Sequence, residues 1–379
     1  MSTLPAVGRR RRAGWLGLAL VTLIAVFALD ARTGADLSVS LLYLAPVGIA
    51  AWFVGRDMGL LFAVLSAASW AICYVLAGEP QSGSFTLVWN TIMEVGIYAA
   101  LALALSGVRA GFETERRLRR ELEGAYRDLD REQRVVGDIQ RSLLPGTVPD
   151  LPGYGFAIHY SPSKQAGGDY YDFLPRGPGR LDLVIADASG HGTPAAVVMA
   201  MTRLLLHTSV PECATPAEVL SAMNQRLVSH VLQNQFVTAF CASLEPASGR
   251  LSYSSAGHDP PIVRRAATGD IETLGDAQGV PLGLFENAEY DLASFELAPG
   301  DTLLLYTDGL PDAVDPDGRF FGAGRIRTAL AGSEHADAEG IARSLLREAV
   351  VHMAGTPATD DVTFVVVRRS DIDPPMPSG

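Results

Sequence analysis

Lysine is nearly missing from this chain: of its 30 basic residues, only Lys164 is a lysine. Together with abundant alanine, that bias reflects a GC-rich genome rather than a function. A basic nucleic-acid surface is missing too. The net charge is -12, and residues 1–110 set seven arginines against five acids, so they hold +2 and the remainder holds -14. Such acidity suits either cation binding or plain solubility. Cysteine is scarce, with Cys73, Cys213 and Cys241 in no CxxC spacing. That argues against a disulfide framework or a structural zinc site and fits a reducing compartment. Neither a P-loop nor an HD-type His-Asp set is present, which leaves a nucleotidyl cyclase or a phosphodiesterase without support.

What is present begins with long apolar runs. Four stretches, residues 13–29, 37–54, 58–77 and 85–107, approach the length of about 17–25 residues that a membrane-crossing helix needs. Arg9 to Arg12 before the first could serve a signal peptide, but three further spans follow and no cleavage site stands out, so the first is read as retained. The arginine cluster keeps the N-terminus cytoplasmic, and four crossings return the chain to that side. The expectation is a multi-pass protein of the cell membrane with its C-terminal domain in the cytoplasm. Glu94, with Asn90 one turn before it, lies inside the fourth run; interhelical hydrogen bonding or a sensing site would each account for it.

Residues 1–110 thus read as a four-span membrane domain and 111–145 as a helical linker. Leu118, Leu122, Ala125, Leu129, Val136, Ile139 and Leu143 keep alternating four-three spacing, broken where Glu132 takes a seam position. A short coiled coil pairing two copies would use that seam; a single helix packed on its own domain is the alternative. Pro145 ends the helix. From residue 146 to 370 strand-like runs at 181–186, 236–244, 251–255, 302–306 and 362–367 mix with helical patterns at 195–207, 217–231, 324–331 and 338–353. Consecutive strands and clustered helices predict an α+β fold. Residues 371–379 read as a disordered tail.

Acidic residues punctuate the ends of these runs: Gly167-Gly168-Asp169-Tyr170-Tyr171-Asp172, Asp187-Ala188-Ser189-Gly190-His191-Gly192, Thr307-Asp308-Gly309 and Thr359-Asp360-Asp361. Any one Asp-Gly is an ordinary turn. Four carboxylates gathered at strand edges without nearby lysine or arginine would repel one another, and hard divalent cations, Mg²⁺ or Mn²⁺, are the natural compensation. Two such ions about 3.5–4 Å apart would activate a bridging water for in-line attack at phosphorus.

The ordered set GGDYYD, IADASGHG, AGHDPP, PLGL, YTDGL and DDVT resembles the PPM class of metal-dependent serine/threonine phosphatases. It is most similar to the bacterial branch of the stage II sporulation phosphatase and the stress sigma-factor regulators, over about residues 139–368. The resemblance implies an α-β-β-α sandwich holding two Mn²⁺ or Mg²⁺. It makes Asp187 the bridging ligand, with Asp169, the backbone carbonyl of Ala188, Asp308 and Asp360 completing the pair. Ala188 replaces a glycine found in many relatives, which a carbonyl ligand tolerates. Asp361 and Gly309 would support the ligands, and Asp172 would orient a water or cap a turn. His191 is a general-acid candidate or a loop residue, His258 a structural one, and Lys164 a phosphate contact or a surface residue. The implied substrate is a phosphoserine or phosphothreonine protein, namely an anti-sigma-factor antagonist of the STAS type. A non-catalytic membrane receptor that uses a phosphatase-like domain to bind a partner is the alternative.

Overall fold

A computed structural model describes residues 6–33, 39–77, 84–230, 235–333 and 336–371. The chain forms two compact units, Met1–Tyr126 and Arg127–Gly379.

In the first unit, α1 (Ala6–Thr33), α3 (Arg56–Leu76) and the start of α4 (Ser84–Leu143) contain, among the described residues, the three helices long and apolar enough to cross a membrane. The run expected at 37–54 differs. Its described part is a 15-residue helical segment, Ser40–Val54, made of a 3-10 turn, α2 (Leu44–Ile49) and a π-helical turn (Ala50–Val54). At about 1.5 Å per residue it spans roughly 22 Å, short of the ~30 Å hydrocarbon core. Alanines pack this unit: Ala50, Ala51, Ala63, Ala67 and Ala102 are fully buried beside Tyr43 and Tyr98. A Cβ on Gly59 would stand 2.7 Å from that of Ala51, so α3 and the π turn touch through a bare backbone. Outward faces carry Val21, Ile24, Val64, Ile72 and Ile92, the inverse of a water-soluble helix. Tyr98 donates to the Ser40 carbonyl at 2.7 Å across to the neighbouring segment, and Glu94 meets Tyr98 one turn away on the same helix, so its bond is within α4 and touches the interhelical contact only through that tyrosine.

Residues 84–143 form one uninterrupted helix where a span and a separate linker were expected, and it stops two residues before Pro145. Beyond it, two sheets stack between helical layers. The first runs β1 (Tyr154–Ser161), β11 (Val362–Arg369), β10 (Thr302–Tyr306), β6 (Ile262–Arg264), β7 (Ile271–Thr273). The second runs β2 (Asp169–Pro175), β3 (Leu181–Ala188), β4 (Val237–Glu245), β5 (Arg250–Ala256), β8 (Gln278–Gly279), with β9 (Ala293–Glu296) also on β5.

Strand alternation builds the layers. Leu303 and Leu305 of β10 face between the sheets, against Leu183, Ile185 and Phe240, whereas Leu304 and Tyr306 face outward. That outer face is covered by α7 (Gly322–Ala331) and α8 (Ala338–Met353). On the other side Val184, Ala186, Ala239 and Cys241 meet α5 (Thr193–Ser209) and α6 (Pro216–Leu227). The result is the expected α-β-β-α sandwich. The caps are local: Thr215 accepts from the Glu218 N–H and Asp337 from that of Gly340. The expected tail lies outside the described residues from 372 onward.

Candidate metal-dependent active site

The site grows from one register. In the antiparallel pairing of β2 with β3, Asp169 stands opposite Asp187. Two carboxylates directly opposite one another are unfavourable, and here the edge of the sandwich adds three more. Asp308 follows β10, and Asp360 and Asp361 precede β11, the strand hydrogen-bonded to β10. The largest charge effects on Asp187 come from Asp308, Asp360 and Asp361.

The electrostatics record that crowding. Burial first, and then the charges of Asp308 and Asp360, push Asp187 up to about 7. Asp169 is 1% exposed and is held well above the usual carboxylate range by burial and by Asp187. Desolvation, then Asp360, Asp312 and Asp259, raise Asp308 to about 6 although water reaches its side chain. Asp360 is also raised, chiefly by burial.

Each carboxylate is positioned by neighbours. Both Thr307 and Thr363 donate to Asp169 Oδ2, at 2.8 and 2.5 Å, from fully buried positions. Asp361 is committed to the backbone: its Oδ1 accepts from the Ser163 N–H at 2.7 Å and its Oδ2 from the Gly168 N–H at 2.6 Å. Asp361 is thus buried and engaged, while Asp360 is only partly buried. The Ala188 carbonyl lies against Gly168, where a Cβ would be 2.4 Å from its oxygen and 3.0 Å from Asp187 Oδ1. A Cβ on Gly309 would fall 1.9 Å from the Asp361 carbonyl, so this glycine is needed for strand-end packing.

Asp172 is not brought to the cluster. An offset of three along β2 puts it on the opposite face from Asp169, where it accepts from Tyr170 and meets His207 Nε2 at 2.7 Å. His191 is exposed, 3.0 Å from Lys164 Nζ by its Nδ1, and its charge bears on Asp360; Lys164 therefore stands at the rim of the cluster.

His258 is a brace. Its Nε2 lies 3.1 Å from the Tyr306 carbonyl and its Nδ1 2.9 Å from Thr238 Oγ1. The carbonyl can only accept, so Nε2 carries the proton and Nδ1 receives the threonine hydroxyl. Thr238 pairs with Asp187 across β3 and β4, and Tyr306 ends β10 two residues before Asp308, so one imidazole ties the strand beside Asp187 to the strand that leads to Asp308. Burial pushes its pKa down to about 4 and keeps it neutral.

A contact hidden in the sequence is Gln140, which is buried near the end of α4. Its Nε2 donates to the Gly167 carbonyl at 2.7 Å, and the Gly167 N–H donates back to its Oε1 at 2.9 Å. Gln140→Ala leaves both groups unpaired in the loop that carries Asp169. It should raise the Mn²⁺ concentration for half-maximal activity about 10–100-fold, measured by metal titration of turnover.

The donor set suits hard cations: four carboxylates, one backbone carbonyl and mutual repulsion that a cation would relieve. Among the described residues no three Asp, Glu, His or Cys side chains stand close enough to hold an ion as they are.

With that geometry in place, the family profile of stage II sporulation protein E (SpoIIE) matches residues 177–370, just over half of the chain. The chain belongs to the SpoIIE family. It is 26% identical over 249 residues to phosphoserine phosphatase RsbU of Bacillus subtilis, covering 65% of this chain and 73% of that one. It is 27% identical over 259 residues to protein IcfG of Synechocystis, covering 61% of this chain but only 40% of that protein. The SiaA-PP2C domain of Pseudomonas aeruginosa has the same fold, with a TM-score of 0.58 at 21% identity over 64% of this chain and 98% of that domain. The C-terminal unit is therefore a SpoIIE-family domain with the PP2C phosphatase fold.

Proposed function

We propose that this chain is a membrane-anchored protein phosphatase that hydrolyses phosphoserine or phosphothreonine on a signalling protein. The observation that carries the reading is the meeting of Asp169, Asp187, Asp308 and Asp360 at one edge of a PP2C-type sandwich. Asp169, Asp187, the Ala188 carbonyl, Asp308 and Asp360 would hold two Mn²⁺ or Mg²⁺. When bound, these ions supply charge neutralisation at the transferring phosphoryl group and acidify the attacking water. The chain's own residues do the positioning: Thr307 and Thr363 aim Asp169, Asp361 fixes the Gly168 loop, and Gly309 lets the two strand ends meet.

His191 is the group proposed to give a proton to the departing seryl oxygen, a role supported by its exposure and by its effect on Asp360. His191→Gln should slow phosphoserine hydrolysis about 100-fold while sparing p-nitrophenyl phosphate, whose leaving group needs no proton; steady-state rates on both substrates check this.

The family supports a choice of partner. RsbU is a phosphoserine phosphatase by name, and the substrate proposed here is an anti-sigma-factor antagonist of the STAS type. Anchoring is supported by the three long apolar helices. In the proposed topology Ser40–Val54 crosses as well, its shortness accommodated by local thinning of the bilayer, and four crossings leave the N-terminus and the catalytic unit in the cytoplasm. Pairing of two copies through α4 is supported by the exposure of Leu118, Leu122, Leu129 and Ile139 along its seam.

The test is turnover of a phosphorylated STAS-type protein by the full chain in detergent, with Mn²⁺ and with a chelator. Metal-dependent phosphate release that Asp187→Asn abolishes is the expected result. Release without metal would sink the mechanism. Tight binding with no release under either condition would favour the receptor alternative.

A further inference from the structure

The first unit holds a site that phosphate hydrolysis does not use. A cavity of about 460 Å³ opens where α1, the π turn and the middle of α4 come together. Its wall carries Arg11 and Arg12 from α1 and Arg109 and Arg116 from α4, with Glu113 as the single acid among the lining residues, a surplus of three positive charges. Arg109 is already oriented, bonded to Glu113 at 2.7 Å and donating to the Trp52 carbonyl. Aromatic side chains interleave with the arginines in the same lining. Trp15 and Phe53 stack with centroids 3.8 Å apart and planes 9° from parallel, and Trp52 and Phe112 line the recess with them.

We propose that this recess binds the phosphate of an anionic glycerophospholipid headgroup, an inference that rests on the membrane reading above. Guanidinium forks pair with phosphate oxygens through two parallel hydrogen bonds, and three of the four here lack a carboxylate partner within the lining. The depth matches as well. The recess lies at the arginine-bearing ends of apolar helices whose outward faces carry Leu18, Val21 and Leu61, so the phosphate would sit at the arginines while the glycerol and upper acyl chain lie against the aromatic side chains. A convex basic patch would attract any anionic surface. A recess lined by both guanidinium and aromatic side chains favours a ligand that is anionic and apolar at once.

The experiment uses the full chain in phosphatidylcholine nanodiscs containing a small fraction of dibrominated lipid. All four tryptophans, Trp15, Trp52, Trp70 and Trp89, belong to this unit and two of them line the recess, so bromine quenching reads occupancy directly. Brominated phosphatidylglycerol should quench with about tenfold higher apparent affinity than brominated phosphatidylcholine. That preference should vanish in the double variant Arg12→Ala/Arg116→Ala and survive in Arg32→Ala, which lies at the other end of α1. Equal quenching by both lipids in the parent chain overturns the proposal, as does a preference that persists in the double variant. Displacement of the anionic lipid by dissolved glycerol 3-phosphate at comparable concentration also overturns it, in favour of a soluble phosphate ester. Quenching by neither lipid would instead remove the membrane reading on which the pocket depends.

Discussion

Asp187→Asn should lower phosphoserine turnover by more than about 100-fold and at the same time stabilise the metal-free protein. The two effects share a cause. Asp187 faces Asp169 across β2 and β3 and feels Asp308 and Asp360, so its ionised form is held up to about 7 at a cost to folding that only a cation relieves. Removing the charge removes the repulsion and the ligand together. The gain should be about 1–2 kcal/mol at pH 8, discounted from the full shift because water reaches part of the carboxylate, or roughly 2–4 °C per kcal/mol in unfolding temperature. All four tryptophans lie in the other unit, so unfolding is best followed by hydrogen exchange in β3 and β10.

The pH dependence has a definite sign. Carboxylates with raised pKa values bind more protons folded than unfolded between about pH 4 and 7, so the metal-free protein gains stability on acidification from pH 8 to 6.5. Below about 6.5 the depressed His258 opposes this, because the unfolded chain then takes up its proton first. Metal affinity runs the other way and weakens as pH falls through 7, because the ions need the ionised forms. A metal-free protein that loses stability between pH 8 and 6.5 would contradict the proposed crowding.

The second large effect concerns Gly309. Its missing Cβ leaves room for the Asp361 carbonyl, which a methyl group would meet at 1.9 Å. Gly309→Ala must push apart the ends of β10 and β11, the segments carrying Asp308 and Asp360. Expected are a loss of about 1–3 kcal/mol in stability and metal affinity reduced about 10–100-fold. Gly324→Ala, on α7 with open space around it, should be neutral or stabilising by under ~1 kcal/mol. Equal behaviour of the two variants in denaturant titration would refute the packing argument.

Much of this architecture was legible in the residues. Apolar strands that run to an acidic end, as at 181–187 and 302–308, announce both a buried strand and where its carboxylate stands. β2 was harder to see, because GGDYYD looks like a turn and its hydrophobic content is aromatic. Had it been read as a strand, the odd offset between Asp169 and Asp172 would already have parted them. The Gln140 contact was beyond reach, since nothing local to 137–143 indicates which distant loop its amide meets. In the segment 37–54 the described helical run is 15 residues, Ser40–Val54, because hydropathy reports apolar content and not helix length.

The two threonines on Asp169 bear on ion choice. With Oδ2 taken up by two hydroxyls, this carboxylate would have one oxygen left to offer a cation. Calcium, which favours seven or eight oxygens and chelating carboxylates, would be poorly served by such a donor, whereas magnesium or manganese would accept a single oxygen. Two hydroxyl groups outside any cation's reach would thereby bias which cations can compete for the site.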